Sequence, residues 1–529
     1  MLQILTKTLH SPNLRRYAAT QAAIKTKHTT AKSKTEDRPA LIQCKRKSFN
    51  LYTPLEAHCK FGTVPLASSG WLNNKAKGDW FQINATVNEQ EKSKDMQDIQ
   101  EFLHKARLSF DDTLMQNLKT EFEVKTLTSI QCQGWPKLNE NHHTLIAAET
   151  GCGKTICYLM PVIQKIIAHK ASDLNKRKFN TPLAIILTPS RELASQIGGV
   201  IEKLTRNLDV GVKTILGGNT KHLMLNPSFE DVDILVASVG ALSKLVTTGI
   251  YKMDHVRHVV LDEADTLLDD SFSDKLVHFM KRFPFHKNMS QNDKDIGTQL
   301  ILASATMPTN ISELLHKVID VETIHEVVSP HLHKLMPHVD QRFIRVNKSD
   351  RPAHLLTIVK KELSARRPVI IFSNKTPTCD YVSIFLNNSG VNCLNLNGDM
   401  LMKIRLGRFE QFQNAECDVL STTDVGSRGL DTTRARHVIN FDFPLHVSDY
   451  IHRSGRIGRV GNTEKCAVTN IISSRREIDV VQRIEHAARC GGLLPDVNAN
   501  IKNIINKKIM KDMKEAGVEL PQQNHEEVF

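Results

Sequence analysis

The sequence predicts an α/β protein with two tandem domains, each a mostly parallel sheet flanked by helices. Three observations support this prediction. The chain has 529 residues, which is too long for one ordinary hydrophobic core. Short apolar stretches alternate with longer helix-like stretches, as expected for parallel strands joined by helical crossovers. This alternation occurs twice, and the two series are separated by a segment that contains Pro330 and Pro337.

The apolar stretches set the expected strands and boundaries. The expected strands are Leu183–Leu187, Ile234–Ala237, Val256–Leu261 and Gln299–Ala303 in the first domain, and Pro368–Ser373, Val391–Leu396, Asp418–Thr422, His437–Phe441 and Lys465–Ile472 in the second. The expected organisation is, in chain order, a separate N-terminal segment (1–35), an irregular extension (36–107), a first domain (108–328), a linker (329–345), a second domain (346–490) and a basic, irregular tail (491–529).

A glycine-rich turn lies between an apolar, strand-like stretch and a helix-like stretch of the first domain. The turn consists of Ala148, Glu149, Thr150, Gly151, Cys152, Gly153, Lys154 and Thr155, with Ala148 in place of the usual first glycine. Such a turn presents backbone N–H groups and a helix N-terminus to a polyphosphate. Lys154 would reach the β- and γ-phosphates of ATP, and Thr155 would hold Mg²⁺. The alternative is a turn that merely begins a helix, and the preceding strand disfavours it.

An acidic cluster follows a second predicted strand. Asp262 and Glu263 come directly after the apolar stretch His258–Leu261. Ligands bind at the carboxyl ends of the strands in open α/β sheets. Asp262 is therefore predicted to hold Mg²⁺ through water, and Glu263 to orient and deprotonate the attacking water. A lone acidic cluster would more simply be a solvated loop, but its position about a hundred residues after the phosphate loop favours an ATPase.

Five further clusters complete a fixed order of motifs. They are Pro189–Ala194, Gly217–Gly218, Ser304–Thr306, Thr423–Asp431 and His452–Arg459. Together with the phosphate loop and the acidic cluster, they resemble the DEAD-box RNA helicases over roughly residues 108 to 490. The resemblance implies two RecA-like domains that close together on ATP and single-stranded RNA, with ATP and Mg²⁺ as cofactors. It implies an RNA-dependent ATPase that unwinds short RNA duplexes or remodels RNA–protein complexes.

The resemblance also implies a role for individual residues. It makes Gln131 the residue that reads adenine, Asp431 a ribose contact, and Arg456 and Arg459 the arginine fingers on the γ-phosphate. Coupling of hydrolysis to strand separation is implied for Asp265, Ser304, Thr306 and His452. RNA contacts are implied for Pro189, Arg191, Gly217, Gly218, Ser238, Gly240, Arg405 and Thr423.

The spacing of three arginines has a physical interpretation of its own. Arg453, Arg456 and Arg459 recur every three residues, which on a helix places them near a common face. Guanidinium groups supplied by the second domain would stabilise charge on the transferring phosphoryl group only while the domains are together. The alternative is a basic surface stripe that grips RNA phosphates, and it fits Arg453 better than the other two.

Four positions or short elements depart from the family pattern, the mildest being Ser190, which replaces a threonine and keeps the hydroxyl. In the other three, Val124 stands where an aromatic residue usually stacks on adenine, the element Ser238–Ala241 lacks an RNA-facing arginine, and Met402 replaces a glutamine three residues before Arg405. We expect ATPase activity to survive these changes, with RNA affinity the more sensitive quantity.

The charge balance favours a polyanionic partner. The chain has 70 Lys and Arg against 57 Asp and Glu, a net charge of +13, which by itself does not distinguish RNA from an anionic membrane surface. Aromatic residues make up only 5%, so contacts with phosphate and sugar are expected to outweigh base stacking. No apolar run approaches the length of a membrane span. The ten cysteines show no metal-binding spacing, so reduced thiols are expected rather than a zinc site.

The first 35 residues have the composition of a mitochondrial transit peptide. They carry seven basic residues and no acidic residue, separated by hydroxyl-bearing and small residues. The expected location is therefore the mitochondrial matrix. A basic arm that binds RNA is the alternative, and Lys45–Lys47 could serve as a weak nuclear signal, which leaves the nucleus and the cytosol open.

Three segments resemble a mitochondrial branch of the helicase family that is linked to assembly of the large mitoribosomal subunit. They are Asp262–Leu268, Leu332–Val339 and Ser448–His452. This resemblance implies mitochondrial ribosomal RNA and mitoribosome assembly intermediates as partners. Two other functions stay open: an ATP-gated RNA clamp that does not separate strands, and a DNA helicase or translocase.

Overall fold

The computed structural model describes residues 40–55, 64–86, 96–172, 178–218, 220–268, 273–285, 297–307, 314–424, 432, 434–458, 465–495 and 497. These residues belong to one compact unit, residues 40–529. The predicted transit peptide (1–35), Asp431, Arg459 and the lysines of the tail lie outside the described residues. None of the described helices is both long enough and apolar enough to cross a membrane.

The described residues form two large sheets, a small two-stranded sheet of β3 and β4, and the helices that cover them. The strands are β1 (Ile42–Cys44), β2 (Trp80–Ile83), β3 (Gln97–Asp98), β4 (Thr126–Leu127), β5 (Thr144–Ala147), β6 (Ala184–Thr188), β7 (Val212–Ile215), β8 (Ile234–Ser238), β9 (His258–Asp262), β10 (Gln299–Ser304), β11 (His325–Val328), β12 (Asp340–Arg345), β13 (Val369–Phe372), β14 (Leu394–Leu396), β15 (Val419–Thr422), β16 (His437–Asn440) and β17 (Ala467–Ile472). The helices are α1 (Ile99–Ala106), α2 (Asp112–Glu121), α3 (Ser129–Asn139), α4 (Lys154–Ser172), α5 (Arg191–Leu204), α6 (Thr220–Leu225), α7 (Val239–Thr247), α8 (Ala264–Leu267), α9 (Ser273–Met280), α10 (Arg351–Ser364), α11 (Thr376–Asn388), α12 (Met402–Gln413), α13 (Val447–Ser454) and α14 (Arg475–Cys490).

The two sheets confirm the predicted α/β fold class. Lobe 1 is the described part of residues 96–328. Its seven-stranded sheet has the order β11-β5-β10-β9-β6-β8-β7, and all neighbouring strands in this sheet are parallel. Lobe 2, the described part of residues 40–86 and 340–497, has the order β1-β2-β12-β17-β16-β13-β15-β14. Its pairs from β12 to β14 are parallel, whereas β1 and β2 join its edge in antiparallel fashion.

Burial on both faces explains why the central strands were recognisable in the sequence. In β6, Ile185 and Ile186 are both fully buried but belong to apolar clusters on opposite faces of the sheet. A strand covered by helices on both faces needs a continuous apolar run rather than an alternating one. The predicted strands Leu183–Leu187 and Ile234–Ala237 accordingly coincide with β6 and β8 to within a residue at each end.

The N-terminal extension differs from the expectation of an irregular segment. β2 pairs with β12 of lobe 2, so that Phe81 lies opposite Phe343, and the two rings stack with centroids 4.7 Å apart. Trp71 and Phe81 are fully buried in the core of lobe 2. Strands of three and four residues carry too little periodicity to be recognised, and the partner strand is about 260 residues away.

A carboxylate of α14 fixes the extension to lobe 2. Glu485 accepts hydrogen bonds from the backbone N–H groups of Ala67 (2.7 Å) and Ser68 (2.9 Å). Arg489 donates to the same carboxylate at 2.8 Å, and both charged groups are buried. Because a buried carboxylate is stable only when it is paired and hydrogen-bonded, this contact ties residues 67 and 68 to α14.

Three predicted boundaries are also corrected. Lobe 1 begins before residue 108, because Phe102 and Leu103 of α1 pack in its core. The linker ends before residue 345, since β12 is a strand of the lobe 2 sheet and Phe343 is fully buried. The expected tail begins inside lobe 2, where Leu494 and Val497 are buried.

Candidate active site between the lobes

The phosphate loop connects β5 to α4 with two glycines in the left-handed region. Gly151 has φ of 81° and Gly153 has φ of 89°, which L-residues with side chains rarely adopt. The Lys154 ammonium group donates hydrogen bonds to the carbonyl oxygens of Ala148 (2.7 Å) and Glu149 (2.9 Å). The loop therefore places one positive charge and the N-terminus of a 19-residue helix at the same point, as phosphate binding requires.

Gln131 is bonded to the phosphate loop. Its side-chain oxygen accepts from the N–H of Thr128 (2.9 Å), and its side-chain nitrogen lies 3.4 Å from the carbonyl oxygen of Gly153. The Thr128 hydroxyl donates to the carbonyl oxygen of Cys152 (2.9 Å). It also accepts from the N–H of Gln131, which completes a capping box at the start of α3. The N-terminus of α3 and the phosphate loop are thus joined by hydrogen bonds. Recognition of adenine by Gln131 stays a prediction.

The acidic cluster lies at the carboxyl end of β9. Asp262 is buried; its carboxylate accepts from the N–H of Glu263 (2.8 Å) and from the hydroxyl of Tyr158 (2.7 Å). Glu263 has φ of 53°, an uncommon conformation for a residue with a side chain and one often found at functional sites. Burial raises the pKa of both Asp262 and Glu263, while the charges of His452 and Arg456 oppose the rise for Glu263.

The predicted coupling residues meet across the cleft between the lobes. Asp265 accepts hydrogen bonds from the backbone N–H (3.0 Å) and the hydroxyl (2.7 Å) of Thr306, and the Ser304 hydroxyl donates to the carbonyl oxygen of Thr306. From lobe 2, His452 Nε2 lies 3.4 Å from the Asp265 carboxylate. One carboxylate of lobe 1 therefore contacts both the Ser304–Thr306 segment and lobe 2.

Arg453 and Arg456 do not share a helix face. α13 ends at Ser454, so Arg456 lies in the turn that follows it. Glycine is a poor helix former, and Gly455 at the end of α13 explains the break. Arg456 is 5% exposed, its Nε donates to the carbonyl oxygen of His452 (3.2 Å), and its charge interacts with that of Glu263.

The surface-stripe alternative is wrong for Arg453. This residue is 1% exposed, and its guanidinium donates to both carboxylate oxygens of Asp424 (2.7 and 2.9 Å) and to the side chain of Asn374 (2.7 Å). A buried guanidinium with a bidentate carboxylate partner holds the interior of lobe 2 together. Its guanidinium is therefore not part of an exposed basic stripe.

Gly455 is a point of very close approach between the lobes. A Cβ atom added to Gly455 would lie 1.5 Å from Oγ1 of Thr150 in the phosphate loop, a distance that two non-bonded atoms cannot adopt. The backbone of Gly455 has φ of −68°, which alanine adopts without strain. The absence of a side chain at residue 455 is therefore required by closure and not by the local backbone.

We expect Gly455→Ala to hinder closure while leaving lobe 2 folded. An extra methyl group in a packed contact costs about 1–3 kcal/mol, which corresponds to a roughly tenfold to hundredfold lower rate of RNA-stimulated ATP hydrolysis. ATP binding to lobe 1 should change little. The control is Gly407→Ala on α12, where an added Cβ meets no atom within 4 Å. Equal rates for Gly455→Ala and the wild type would contradict closure through this contact.

The predicted RNA-contacting residues of lobe 1 share the sheet edge of the nucleotide site. Pro189 and Arg191 follow β6, Gly217 and Gly218 follow β7, and Ser238 and Gly240 lie at and just beyond the end of β8. The Arg191 guanidinium packs on Gly217 and Gly218. A Cβ atom added to either glycine would lie 3.0–3.1 Å from a nitrogen of this guanidinium. The elements predicted to bind or sense the nucleotide follow β5, β10 and β9, and those predicted to contact RNA follow the neighbouring strands β6, β8 and β7, so both predicted sets lie at one edge of the sheet.

Arg405 has a partner that the sequence analysis missed. Its guanidinium lies 2.8 Å from the carboxylate of Glu192 in lobe 1, and both side chains are almost completely buried. In lobe 2, Thr423 follows β15 and is also buried. RNA contacts by Arg405 and Thr423 therefore stay predictions, and the structure gives Arg405 an ion pair between the lobes. No pattern in the sequence could have joined residues 192 and 405, because the pair depends on how the lobes meet.

The linker contacts motifs of both lobes, which the sequence analysis also missed. His333 has φ of 59°, and its Nε2 accepts a hydrogen bond from the N–H of Met307 (2.9 Å), the residue after Thr306. Burial lowers the pKa of His333, which favours the neutral imidazole that this acceptor role requires. His338 Nε2 lies 2.6 Å from the carbonyl oxygen of Gly458, in the turn that carries Arg456.

Comparisons with known proteins agree with this geometry. Residues 128–314 match the model of the DEAD/DEAH box helicase family, and residues 350–461 match that of the helicase conserved C-terminal domain. The probable ATP-dependent RNA helicase DDX28 of Mus musculus is 33% identical over 480 residues, which cover 89% of this chain and 88% of that protein. The same-named protein of Homo sapiens is 33% identical over 474 residues, which cover 88% of this chain and 87% of that protein.

Solved structures share the fold. Mss116p bound to single-stranded RNA and AMP-PNP has a TM-score of 0.63 at 21% identity, covering 82% of this chain and 90% of that chain. Dbp5 L327V of S. cerevisiae bound to RNA and ADP BeF3 has a TM-score of 0.61 at 20% identity, covering 76% of this chain and 97% of that chain. Each lobe of the present chain is therefore RecA-like.

Proposed function

As a member of the DEAD-box helicase family, this chain is an ATP-dependent RNA helicase, and we propose that its lobes act by closing around ATP and one RNA strand. The observation that carries the proposal is the contact across the cleft, where His452 and Arg456 lie beside Asp265 and Glu263. ATP and RNA would each bind elements of both lobes, so each favours the closed state and thereby helps the other to bind. A bent single strand fits the closed cleft, whereas a regular duplex does not.

The residues at the cleft supply the chemistry of hydrolysis. Glu263 orients and deprotonates the attacking water, and Lys154 and Arg456 stabilise the charge of the transferring phosphoryl group. Thr155 and Asp262 fit a magnesium site, because hydroxyl and carboxylate oxygens are the ligands that this ion takes in proteins. Bound Mg²⁺ neutralises phosphate charge. Asp265 transmits closure from lobe 2 to the Ser304–Thr306 segment.

Parallel assays on RNA and DNA duplexes test this function. We expect an RNA duplex with a single-stranded end to stimulate ATP hydrolysis and to release its labelled strand, and the matching DNA duplex to do neither. ATP-dependent retention of RNA without strand release would support the clamp instead. Equal strand release from DNA would support a DNA helicase and overturn the proposal.

We further propose that the protein acts in the mitochondrial matrix on ribosomal RNA of the large mitoribosomal subunit. The support is the basic, acid-free composition of residues 1–35 and the resemblance of residues 332–339 and 448–452 to the mitochondrial branch of the family. Crosslinking the tagged protein to RNA in cells tests the proposal. Recovery of large-subunit ribosomal RNA from mitochondria would support it, and recovery of cytosolic or nuclear RNA alone would contradict it.

A fusion of residues 1–40 to a fluorescent protein should enter mitochondria and become shorter than the translated chain. Import depends on positive charge, so changing the seven basic residues to Gln should abolish it; they are Lys7, Arg15, Arg16, Lys25, Lys27, Lys32 and Lys34. Fluorescence microscopy and the size of the mature fusion are the measurements. A diffuse cytosolic signal from the unmodified fusion would instead favour an RNA-binding arm.

A further inference from the structure

Tyr158 lies on the helix that follows the phosphate loop, next to both residues proposed to hold Mg²⁺. It is on α4, three residues after Thr155, so the two side chains share a helix face. The Tyr158 hydroxyl donates a hydrogen bond of 2.7 Å to the Asp262 carboxylate and lies beside the Thr155 side chain, which influences the Tyr158 pKa. The ring is fully buried in the apolar core of lobe 1.

The Asp262 carboxylate is held by a donor on each oxygen. Oδ1 accepts from the N–H of Glu263 at 2.8 Å, and Oδ2 accepts from the Tyr158 hydroxyl at 2.7 Å. Two donors on different oxygens fix the rotation of the carboxylate about its Cβ–Cγ bond. A magnesium ion demands near-ideal octahedral geometry, so its affinity is sensitive to such an orientation.

The hydroxyl is not needed to fill the core. A phenylalanine ring would occupy the same space and make the same apolar contacts, so the oxygen atom of Tyr158 matters only through its polar neighbours. Both of those neighbours, Thr155 and Asp262, belong to the proposed magnesium site. Groups that orient metal ligands from behind influence metal affinity without touching the ion.

We propose that Tyr158 is a positioning residue, whose hydroxyl holds the Thr155 and Asp262 side chains in the mutual orientation that takes Mg²⁺ together with the nucleotide. This inference rests on the proposed magnesium site. Tyr158 acts through its two neighbours and contacts neither the nucleotide nor the attacking water.

Tyr158→Phe in the full chain removes one oxygen atom and tests the inference. Binding of a fluorescent, non-hydrolysable ATP analogue is measured while Mg²⁺ is titrated, and again with the ion chelated. The Mg²⁺ concentration for half-maximal binding should rise about tenfold or more, the usual effect of removing such a supporting group. Binding without Mg²⁺ should stay the same. The ATPase rate of the variant should return close to that of the wild type at high Mg²⁺.

Two controls separate positioning from a general loss of stability. Tyr251→Phe removes a hydroxyl from another buried tyrosine of lobe 1 and should leave the Mg²⁺ requirement unchanged. Tyr158→Phe combined with Asp262→Asn should bind the analogue no more weakly than Asp262→Asn alone, since residues that act through one another are not additive. An additional, independent loss in the double variant would show that Tyr158 does not act through Asp262.

The failures of the two proposals are distinguishable. If the wild type requires Mg²⁺ and Tyr158→Phe has the same requirement, the role of Tyr158 is overturned and the magnesium site stands. If the wild type binds the analogue equally well with and without Mg²⁺, the magnesium site itself is overturned, and the role of Tyr158 with it. A loss of binding that excess Mg²⁺ does not restore would indicate that the hydroxyl serves only the stability of lobe 1.

Discussion

ATP hydrolysis should stop when Glu263 is replaced by Gln, while ATP and RNA remain bound. The substitution removes the carboxylate that deprotonates water, and a lost general base lowers a rate by roughly 10²–10⁴-fold. The proposed magnesium site stays, because Asp262 is retained and the backbone N–H that it accepts from residue 263 is unchanged by the substitution. ATPase rate, nucleotide affinity and RNA affinity are measured separately, since only the first should fall.

A comparison with two other variants makes this result specific. Lys154→Ala should also abolish turnover, but through the loss of the main positive charge of lobe 1 at the γ-phosphate. Its nucleotide affinity should therefore fall, unlike that of Glu263→Gln. Glu202→Gln, at an exposed position of α5 in the same lobe, should leave the ATPase rate unchanged. Near-normal turnover in Glu263→Gln would contradict its role as general base, and near-normal turnover in Lys154→Ala would contradict its role at the γ-phosphate.

Replacing Arg456 and Arg459 by Ala should lower the rate of hydrolysis by roughly a thousandfold or more. Arg456 is about three hundred residues from the phosphate loop, so it can reach the γ-phosphate only through docking of lobe 2 on lobe 1. The structure supports this route, because the Arg456 charge interacts with Glu263 across the cleft. ATP binding to lobe 1 should weaken far less, and RNA should no longer stimulate hydrolysis.

The measurement is the ATPase rate with and without RNA for each single variant and for the double variant. Arg483→Ala on α14 is the control, since this partly exposed arginine pairs with Asp479 on its own helix. A double variant that retains RNA-stimulated hydrolysis would show that the two arginines only grip RNA. The two-lobe mechanism would then have to be replaced.

Features that are local in sequence could be predicted, and features that depend on distant contacts could not. The phosphate loop and Asp262 were recognisable because strand, loop and ligand residue follow one another within a few positions. The common helix face of Arg453 and Arg456 was wrong, because Gly455 ends the helix between them. Spacing alone does not reveal where a helix stops.

Tyr158 and the Arg405–Glu192 pair show what the sequence leaves out. A tyrosine in an apolar helix is usually a core residue, and only the arrangement of α4 against β9 brings its hydroxyl to Asp262. The ion pair between Arg405 and Glu192 forms only when the two lobes dock in a particular way, and no local sequence pattern predicts that docking. Both contacts lie at the proposed site, where the functional predictions are most sensitive to geometry.

The attachment of β1 and β2 to lobe 2 has a consequence for the order in which the protein is made. Lobe 1 is continuous, whereas lobe 2 needs residues from both sides of it, and the bond from Ala67 to Glu485 spans 418 positions. A ribosome that adds about 5–20 residues per second needs roughly 13–50 s to reach β12 after completing β2. Throughout that interval Trp71 and Phe81 lack the core in which they are finally buried. The N-terminal extension of the nascent chain thus keeps an apolar segment without its partner. Lobe 2 can complete its folding only after all of lobe 1 has been synthesised.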